Sequence, residues 1–155
     1  MKALVIMGVS GSGKSTIGRL LAEKTDKVFL DGDDFHPPEN IRKMESGEPL
    51  NDEDRRGWLE RLAQVIEVSE SPPVVACSAL KASYREALSG SEFVFLDGSP
   101  ELLAERMGQR SDHFMPATLL ASQLETLERP MDALTLDIKA SPEELVAQIR
   151  AHLGW

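Results

Sequence analysis

The residues best suited to chemistry lie near the N-terminus, in a glycine-rich segment that ends in lysine and serine. The segment Gly8-Val9-Ser10-Gly11-Ser12-Gly13-Lys14-Ser15 matches the pattern G-x-x-x-x-G-K-[ST] at every position. Glycines let the backbone curl so that N–H groups point at phosphate oxygens, and the following helix adds its positive dipole end. Lys14 is expected to reach the β- and γ-phosphates, and the Ser15 hydroxyl to bind Mg²⁺. The segment predicts a nucleoside triphosphate site that extends to Thr16, the alternative being a plain Gly/Ser turn.

A cluster of carboxylates follows the next apolar run. Asp31, Asp33 and Asp34 repel one another unless they meet a metal ion, a cation or substrate hydroxyls. Alternation along an extended backbone predicts that Asp31 and Asp33 lie on one side. We assign Asp31 to the Mg²⁺ side and Asp33 to the base that accepts the proton of an attacking hydroxyl. The alternative is a solvated acidic turn, and His36 suits capping or packing as well as substrate contact.

Polar and basic residues further along the chain predict an acceptor pocket. Such residues suit a polyol or a carboxylate, and an acidic protein that keeps cations at its site is expected to bind an anionic small molecule. Tyr84 and Arg85 follow Lys81 by three and four positions, near its helical face. Taken singly, several of these residues could be surface charges. The candidate acceptor ligands are Asp33, His36, Asn40, Lys43, Arg55, Ser78, Lys81, Tyr84 and Arg85.

Two arginines at the end of a later helix could serve the transferred phosphoryl group. Arg106 and Arg110 are four positions apart and lead into a polar segment. Phosphoryl transfer develops negative charge, which arginines on a closing segment neutralise while water is excluded. We predict a lid at about residues 109–117, with Arg110 catalytic and Arg106 in contact with the nucleotide. Alternatively, Arg106 only complements the C-terminus of its helix.

Short apolar runs alternate with segments of helical period, and these elements must position the candidate residues. Runs that are apolar throughout are typical of a parallel sheet covered on both faces. The alternation predicts one α/β domain over residues 1–155, with an acceptor-binding insertion at about 33–70. The predicted strands are 3–7, 28–30, 74–77, 93–96 and 134–138, and the predicted helices are 15–24, 52–68, 81–88, 100–107, 116–127 and 142–153.

Composition narrows the class of partner. The 155 residues include 17 Lys and Arg against 26 Asp and Glu, a formal net charge of −9. This charge disfavours binding to nucleic acid or anionic lipid, and no apolar run approaches the ~20 residues that span a bilayer. Cys77 is the only cysteine, so no internal disulfide can form and a cytoplasmic location is expected. We interpret Cys77 as a buried small residue and not as a nucleophile.

Taken together, these segments resemble the gluconokinases of the P-loop kinase class. The resemblance rests most on residues 8–15, the Gly32-Asp33-Asp34-Phe35-His36-Pro37 turn, the Cys77-Ser78-Ala79-Leu80-Lys81 segment, and His113-Phe114 followed by Gln123-x-x-Thr126-Leu127-Glu128. It implies transfer of phosphate from ATP to the 6-hydroxyl of D-gluconate, Mg²⁺ dependence, and often a homodimer. It also implies a three-layer, five-stranded, adenylate- and shikimate-kinase-like fold with a mobile lid.

The same resemblance suggests an adenine pocket between the lid arginines and the loop at 139–142. Asp112 stands where family members often carry a small residue, so lid closure could differ. Two other functions stay open. One is a kinase for another small acceptor, such as shikimate or a nucleoside, although shikimate kinases usually carry a glycine run where this chain has Ala76-Cys77-Ser78-Ala79. The other is a sensor that binds ATP without phosphorylating anything.

Overall fold

One parallel sheet forms the centre of the chain. The computed structural model describes residues 2–108 and 118–155. Within them the strands are β1 (Leu4–Met7), β2 (Phe29–Asp31), β3 (Val74–Ala76), β4 (Glu92–Asp97) and β5 (Leu134–Asp137). All pairs are parallel in the order β2-β3-β1-β4-β5, with Leu4 of β1 opposite Val74 of β3. The predicted five-stranded parallel sheet is confirmed, with strand ends shifted by one residue in places.

Helices cover this sheet. They are α1 (Lys14–Thr25), α2 (Pro38–Glu45), α3 (Asp52–Val68), α4 (Ala82–Ala87), α5 (Pro100–Gly108), α6 (Thr118–Thr126) and α7 (Pro142–Leu153). Every residue of β1 is buried, so both faces of the central strand are covered. Helix α1 packs against β3 and α7. Among the described helices, none has the length and apolar character needed to cross a membrane.

Local sequence signals fix the helix ends that matter most for the site. Helix α3 begins with a capping box: the Asn51 side chain accepts the N–H of Asp54 at 2.8 Å, and the Asp54 carboxylate accepts the N–H of Asn51 at 3.0 Å. Helix α7 begins as the sequence predicts, with Ser141 as N-cap and Pro142 in the first turn. The rigid start of α3 matters because this helix carries Arg55 and Trp58.

Helix α2 is the element that the periodic pattern does not reveal. It occupies part of residues 31–51, a stretch with three prolines and no apolar period. Its buried positions are Asn40 and Met44, one helical turn apart, so half of its inward face is polar. A hydrophobic pattern cannot mark a helix that buries an amide.

The turn after β2 is not extended. Residues Gly32–Phe35 form a 3-10 helix, whose N-cap is Asp31, and the Asp31 carboxylate accepts the N–H of Asp33 at 3.1 Å. The premise that Asp31 and Asp33 alternate along an extended backbone is therefore wrong. A short acidic side chain at the end of a strand satisfies the first N–H groups of the turn, which favours the tighter conformation.

We predict that the capping box contributes both to stability and to its pH dependence. Asn51→Ala should lower the free energy of unfolding by about 1 kcal/mol, because the Asp54 N–H loses its cap. The ion pair with Lys43 and the N–H of Asn51 hold the pKa of Asp54 below its usual value. This stabilisation is complete above about pH 4, the usual range of an unfolded aspartate, and is lost as pH falls through the lowered folded pKa.

Urea unfolding of Asp54→Asn and the wild type at pH 7, 5 and 3 tests this. The variant should be less stable at pH 7, and the gap should narrow at pH 3. Glu53→Gln is the matched control, since it removes the same charge from the same helical turn outside the capping box. An equal gap at all three pH values would contradict the prediction.

Candidate active site

The phosphate loop curls between β1 and α1. Gly11 and Gly13 have φ angles of 84° and 94°, left-handed values that glycine adopts without strain. A Cβ atom at Gly11 would lie 2.7 Å from the carbonyl oxygen of Leu103, so glycine also permits the close approach of α5. Lys14 begins α1, and its Nζ donates to the carbonyl of Val9 at 3.1 Å. The lysine is thus held against the loop that the sequence predicts to bind phosphate.

The loop contains a buried hydroxyl. Ser12 is 1% exposed, and within the described residues its Oγ is the only buried side-chain nitrogen or oxygen without a hydrogen-bond partner. Such a group costs about 1–3 kcal/mol when unsatisfied. Because Ser12 lies in the middle of the phosphate loop, the phosphate oxygens of a nucleotide are the ligands best suited to satisfy it.

A hydrogen bond joins the start of α1 to the end of β2. The Ser15 hydroxyl donates to the Asp31 carboxylate at 3.0 Å, while the other oxygen of that carboxylate accepts from the Asp33 N–H. Serine and aspartate oxygens that lie side by side are suitable ligands for Mg²⁺, which takes few protein ligands and completes its shell with water and phosphate. Among residues 2–108 and 118–155, no group of three or more His, Cys, Asp or Glu side chains is arranged to hold a metal ion.

A small cavity lies between the phosphate loop and the acidic turn. Its volume is about 40 Å³, room for about one or two water molecules, and it is partly open to solvent. Six of the predicted site residues border it together: Ser10, Lys14, Asp33, His36, Arg55 and Ser78. The remaining lining residues are Met44, Pro49, Leu50, Trp58, Ser122 and Gln123.

The imidazole of His36 is packed inside this wall. The residue is 6% exposed, and its ring stacks on the indole of Trp58 with centroids 4.1 Å apart and 19° between the planes. Trp58 in turn donates from Nε1 to the carbonyl of Gly32 at 2.7 Å. Asn40 is also buried and lies within hydrogen-bond distance of the His36 ring. Trp58 thus both packs in the core and holds the turn on which Asp33 lies.

Arg55 borders the cavity and belongs to a network of polar and charged side chains on α3 and at the start of α4. Lys81 Nζ lies 2.9 Å from the Asp52 carboxylate, and the Tyr84 hydroxyl donates to the same oxygen. These hydrogen bonds, that of Tyr84 first, lower the pKa of Asp52, while burial raises the pKa of Tyr84. Arg55 Nη1 donates to the Tyr84 oxygen at 3.2 Å. Through the Tyr84 oxygen, this network fixes the orientation of the Arg55 guanidinium.

Five predicted acceptor residues do not line the cavity: Lys81 and Tyr84 of this network, and Asn40, Lys43 and Arg85. Lys43 pairs with Asp54 at 2.9 Å, which raises the lysine pKa. Arg85 donates to the backbone carbonyls of Ala79 and Glu128, each at 2.8 Å, and burial lowers its pKa. Asn40 reaches the cavity only through His36. The structure therefore gives these side chains internal partners.

The nucleotide side has a second cavity beside the phosphate loop. Arg106 borders it, and its Nη2 donates to the carbonyl of Ile138 at 2.6 Å, across the end of β5. The loop that the resemblance assigned to adenine supplies Ala140 and Pro142 to the same wall. Residues 109–117, and with them Arg110, Asp112 and the predicted lid, lie outside the described residues.

Two residues of the Gln123-x-x-Thr126-Leu127-Glu128 segment accept backbone hydrogen bonds from the phosphate loop and from the start of α4. The sequence alone predicts no role for either side chain. Gln123 Oε1 accepts the buried N–H of Ser10 at 2.8 Å, across 113 positions of sequence. Glu128 Oε1 accepts the N–H of Ala82 at 3.0 Å, at the start of α4. The sequence shows a glutamine and a glutamate near the end of α6. It does not show their partners, which are 113 and 46 positions away.

Cys77 follows β3 and is 1% exposed. Burial raises the pKa of its thiol to about 12, so the nucleophilic thiolate is scarce near neutral pH. The prediction that Cys77 is a buried residue is confirmed.

A parallel sheet in this order, with a phosphate loop after its central strand and an acidic turn beside it, defines a P-loop kinase. The family model described as shikimate kinase matches residues 10–153. The thermosensitive gluconokinase of Escherichia coli K12 is 43% identical, over 96% of this chain and 86% of its own. A gluconokinase crystal structure from Sinorhizobium meliloti 1021 superposes with a TM-score of 0.90 at 48% identity, covering 99% of this chain and 91% of that one.

A crystal structure of a sugar kinase from Janibacter superposes with a TM-score of 0.93 at 42% identity, over 99% of this chain and 95% of that one. The chain therefore belongs to the gluconokinase family. The resemblance seen in the sequence is confirmed, as is the shikimate-kinase-like P-loop fold.

We predict that Gln123 supports the phosphate loop. Gln123→Leu should lower the free energy of unfolding by about 1–3 kcal/mol, because it leaves the buried Ser10 N–H unsatisfied. Gln123→Glu keeps an oxygen acceptor, so it should restore much of that stability while weakening ATP binding through repulsion of the triphosphate. Urea unfolding and calorimetric titration with ATP measure the two effects. Equal ATP affinity of the glutamate variant and the wild type would contradict a position beside the phosphates.

Proposed function

We propose that this protein transfers the γ-phosphoryl group of ATP to the 6-hydroxyl of D-gluconate, giving 6-phospho-D-gluconate and ADP. The observation that carries the proposal is that Lys14, of the phosphate loop, and Asp33, of the acidic turn, border one cavity. A donor held on the loop and a hydroxyl held in the cavity can then meet directly. The gluconokinase names of the relatives identify the acceptor.

The proposed reaction is a single in-line transfer. The primary hydroxyl attacks the γ-phosphorus as its proton passes to the Asp33 carboxylate, and the bond to the ADP oxygen breaks. Lys14 carries part of the charge that develops on the phosphoryl oxygens, with Arg106 and Arg110 as further candidates. No covalent enzyme intermediate is required, because donor and acceptor occupy adjacent sites.

Mg²⁺ is part of this proposal. The Ser15 hydroxyl and the Asp31 carboxylate, 3.0 Å apart at the head of α1, are the residues suited to hold it, directly or through water. When bound, Mg²⁺ neutralises charge on the phosphate oxygens. The amides of residues 8–16 and the buried Ser12 hydroxyl are proposed to hold the phosphate groups themselves.

The cavity favours an acidic acceptor over a nucleoside. Arg55 is 8% exposed and borders the cavity, and its guanidinium has the neutral Tyr84 hydroxyl as side-chain hydrogen-bond partner. Among the described residues, no carboxylate lies within 4.0 Å of it. The carboxylates of Asp52 and Asp54 act on it electrostatically but do not contact it. A buried guanidinium with no carboxylate in direct contact is costly, and a carboxylate is its best-matched ligand. The carboxylate of gluconate is proposed to bind here, with Ser78 and Lys81 near the polyol chain.

Shikimate also carries a carboxylate, so the acceptor must be tested directly. ADP release, measured by a coupled assay with Mg²⁺ and ATP, should accelerate with gluconate and not with shikimate or nucleosides. The phosphorus NMR signal of the product should be a triplet, because a phosphate on the 6-position couples to two protons. Acceptor-independent ATP binding without ADP release would support the sensor instead, and a doublet would exclude the 6-hydroxyl.

Two variants bear on the chemistry in that assay. Lys14→Ala should lower turnover by at least about 100-fold, since oriented charge at the phosphoryl group is lost. Asp33→Asn keeps the shape of the side chain and should lower kcat by about 100-fold or more. Near-normal turnover of either variant would refute the role assigned to that residue.

Arg55 offers a separate test of acceptor binding. Arg55→Met should raise the KM for gluconate by about 10- to 100-fold, because a buried charge-assisted pair of about 1.5–3 kcal/mol is lost, while the KM for ATP changes little. Arg85→Met is the matched control: it also removes a guanidinium near α4, but one bonded to backbone carbonyls. An equal rise in gluconate KM for both variants would contradict the carboxylate site.

Assembly and location stay predictions. The resemblance implies a homodimer, the single cysteine favours a cytoplasmic location, and the net charge of −9 argues against nucleic acid as a partner.

A further inference from the structure

We propose that His36 is a positioning residue for Asp33, fixed by Asn40 in the neutral form that carries its proton on Nε2. The inference rests on the proposed role of Asp33 as the base. It goes beyond the expected substrate contact of His36, because it assigns the imidazole to the carboxylate and not to the sugar acid.

The orientation of the Asn40 amide follows from its hydrogen bonds. One atom of the amide lies 2.9 Å from the carbonyl oxygen of Asp54 and 3.2 Å from His36 Nδ1. A carbonyl oxygen only accepts hydrogen bonds, so the amide atom that faces it must be the nitrogen. Asn40 is 2% exposed, so solvent offers no alternative partner that would favour the flipped amide.

The tautomer of His36 follows in turn. The amide nitrogen of Asn40 only donates, so the ring atom beside it, Nδ1, must accept and carries no proton. A neutral imidazole then has its proton on Nε2.

This proton faces the proposed base. His36 Nε2 lies 3.6 Å from Asp33 Oδ1, just beyond hydrogen-bond length. Catalytic hydrogen bonds are often long before the substrate binds and shorten in the reacting complex. A donor on one carboxylate oxygen restricts rotation of the carboxylate and fixes which oxygen meets the acceptor hydroxyl. The imidazole therefore orients Asp33 without touching the reacting atoms.

The ring and the base are held as one unit. The indole of Trp58 stacks on the His36 ring and also donates to Gly32, the residue before Asp33. The backbone N–H of His36 donates to the carbonyl of Asp33 at 3.3 Å. Trp58 is 1% exposed, so the unit is anchored in the core. Such anchoring is what a positioning role requires, because a mobile ring could not fix a carboxylate.

Nitrogen-15 NMR of the histidine rings tests the tautomer without measuring activity. His36 should show a protonated Nε2 and an unprotonated Nδ1, with its signals assigned by their loss in His36→Gln. Asn40→Asp replaces the donor by an acceptor and should move the proton to Nδ1. Asn40→Ala, which removes the constraint without adding charge, should give a mixture. A wild-type ring protonated on Nδ1 would overturn the proposal.

Steady-state kinetics test the positioning role. The amide nitrogen of glutamine can stand where Nε2 stands, whereas asparagine mimics Nδ1 and is too short. His36→Asn should lower kcat roughly 10- to 100-fold, the loss expected when a catalytic group is misplaced by about an ångström. His36→Gln should recover most of that loss, and the KM for gluconate should change less than about threefold in both. A rise in KM with kcat retained would overturn the proposal in favour of substrate contact.

A double-mutant cycle separates this proposal from the function on which it rests. In an Asp33→Asn background, His36→Asn should cost nothing further, because the group it orients is gone. Additive losses would mean that His36 acts independently of Asp33 and would overturn the inference. If the wild type releases no ADP with gluconate, the proposed function fails, and the NMR result still decides the tautomer. Thermal melting of each variant identifies any loss of activity that is due to unfolding.

Discussion

The hydrogen bond from Ser15 to Asp31 is the link on which the site depends. It joins the first turn of α1, which follows the phosphate loop, to the end of β2, which leads into the acidic turn. These two segments meet because β1 and β2 flank β3 in one parallel sheet, so all three end at the same edge. A hydrogen bond to a carboxylate contributes about 1.5–3 kcal/mol to the free energy of unfolding, yet here its main effect is geometric. It sets the distance between the part that holds phosphate and the part that holds the acceptor.

The features that the sequence predicted well are those encoded by neighbouring residues. A phosphate loop needs its glycines and lysine in succession, and a doubly covered strand needs consecutive apolar residues, so both can be recognised locally. The apolar pattern did not predict helix α2, because its inward face buries Asn40. The prediction of an extended backbone after β2 was wrong, because the Asp31 side chain caps a 3-10 helix there. The bond between Gln123 and Ser10 joins residues 113 positions apart, and no local pattern encodes it.

The positive charges divide into two groups that sequence alone does not distinguish. Lys43 and Lys81 pair with acids in the first turn of α3, where acids also complement the helix dipole. Arg55 lies one position beyond that acidic turn, but its buried guanidinium contacts the neutral Tyr84. A cation that is buried beside a neutral partner is the one most in need of an anion. Burial and partner identity, not residue type, therefore select the candidate ligand for a carboxylate.

The walls of the cavity hold the proposed base and the phosphate loop in place. Trp58 stacks on His36 and donates to Gly32, so the acidic turn is tied to a side chain that is 1% exposed. On the side of the phosphate loop, Gln123 accepts the buried N–H of Ser10. The two segments are thus fixed by separate parts of the fold, and the hydrogen bond from Ser15 to Asp31 joins them. A catalytic group that is in position before the acceptor binds need not be ordered during the transfer, which lowers the barrier.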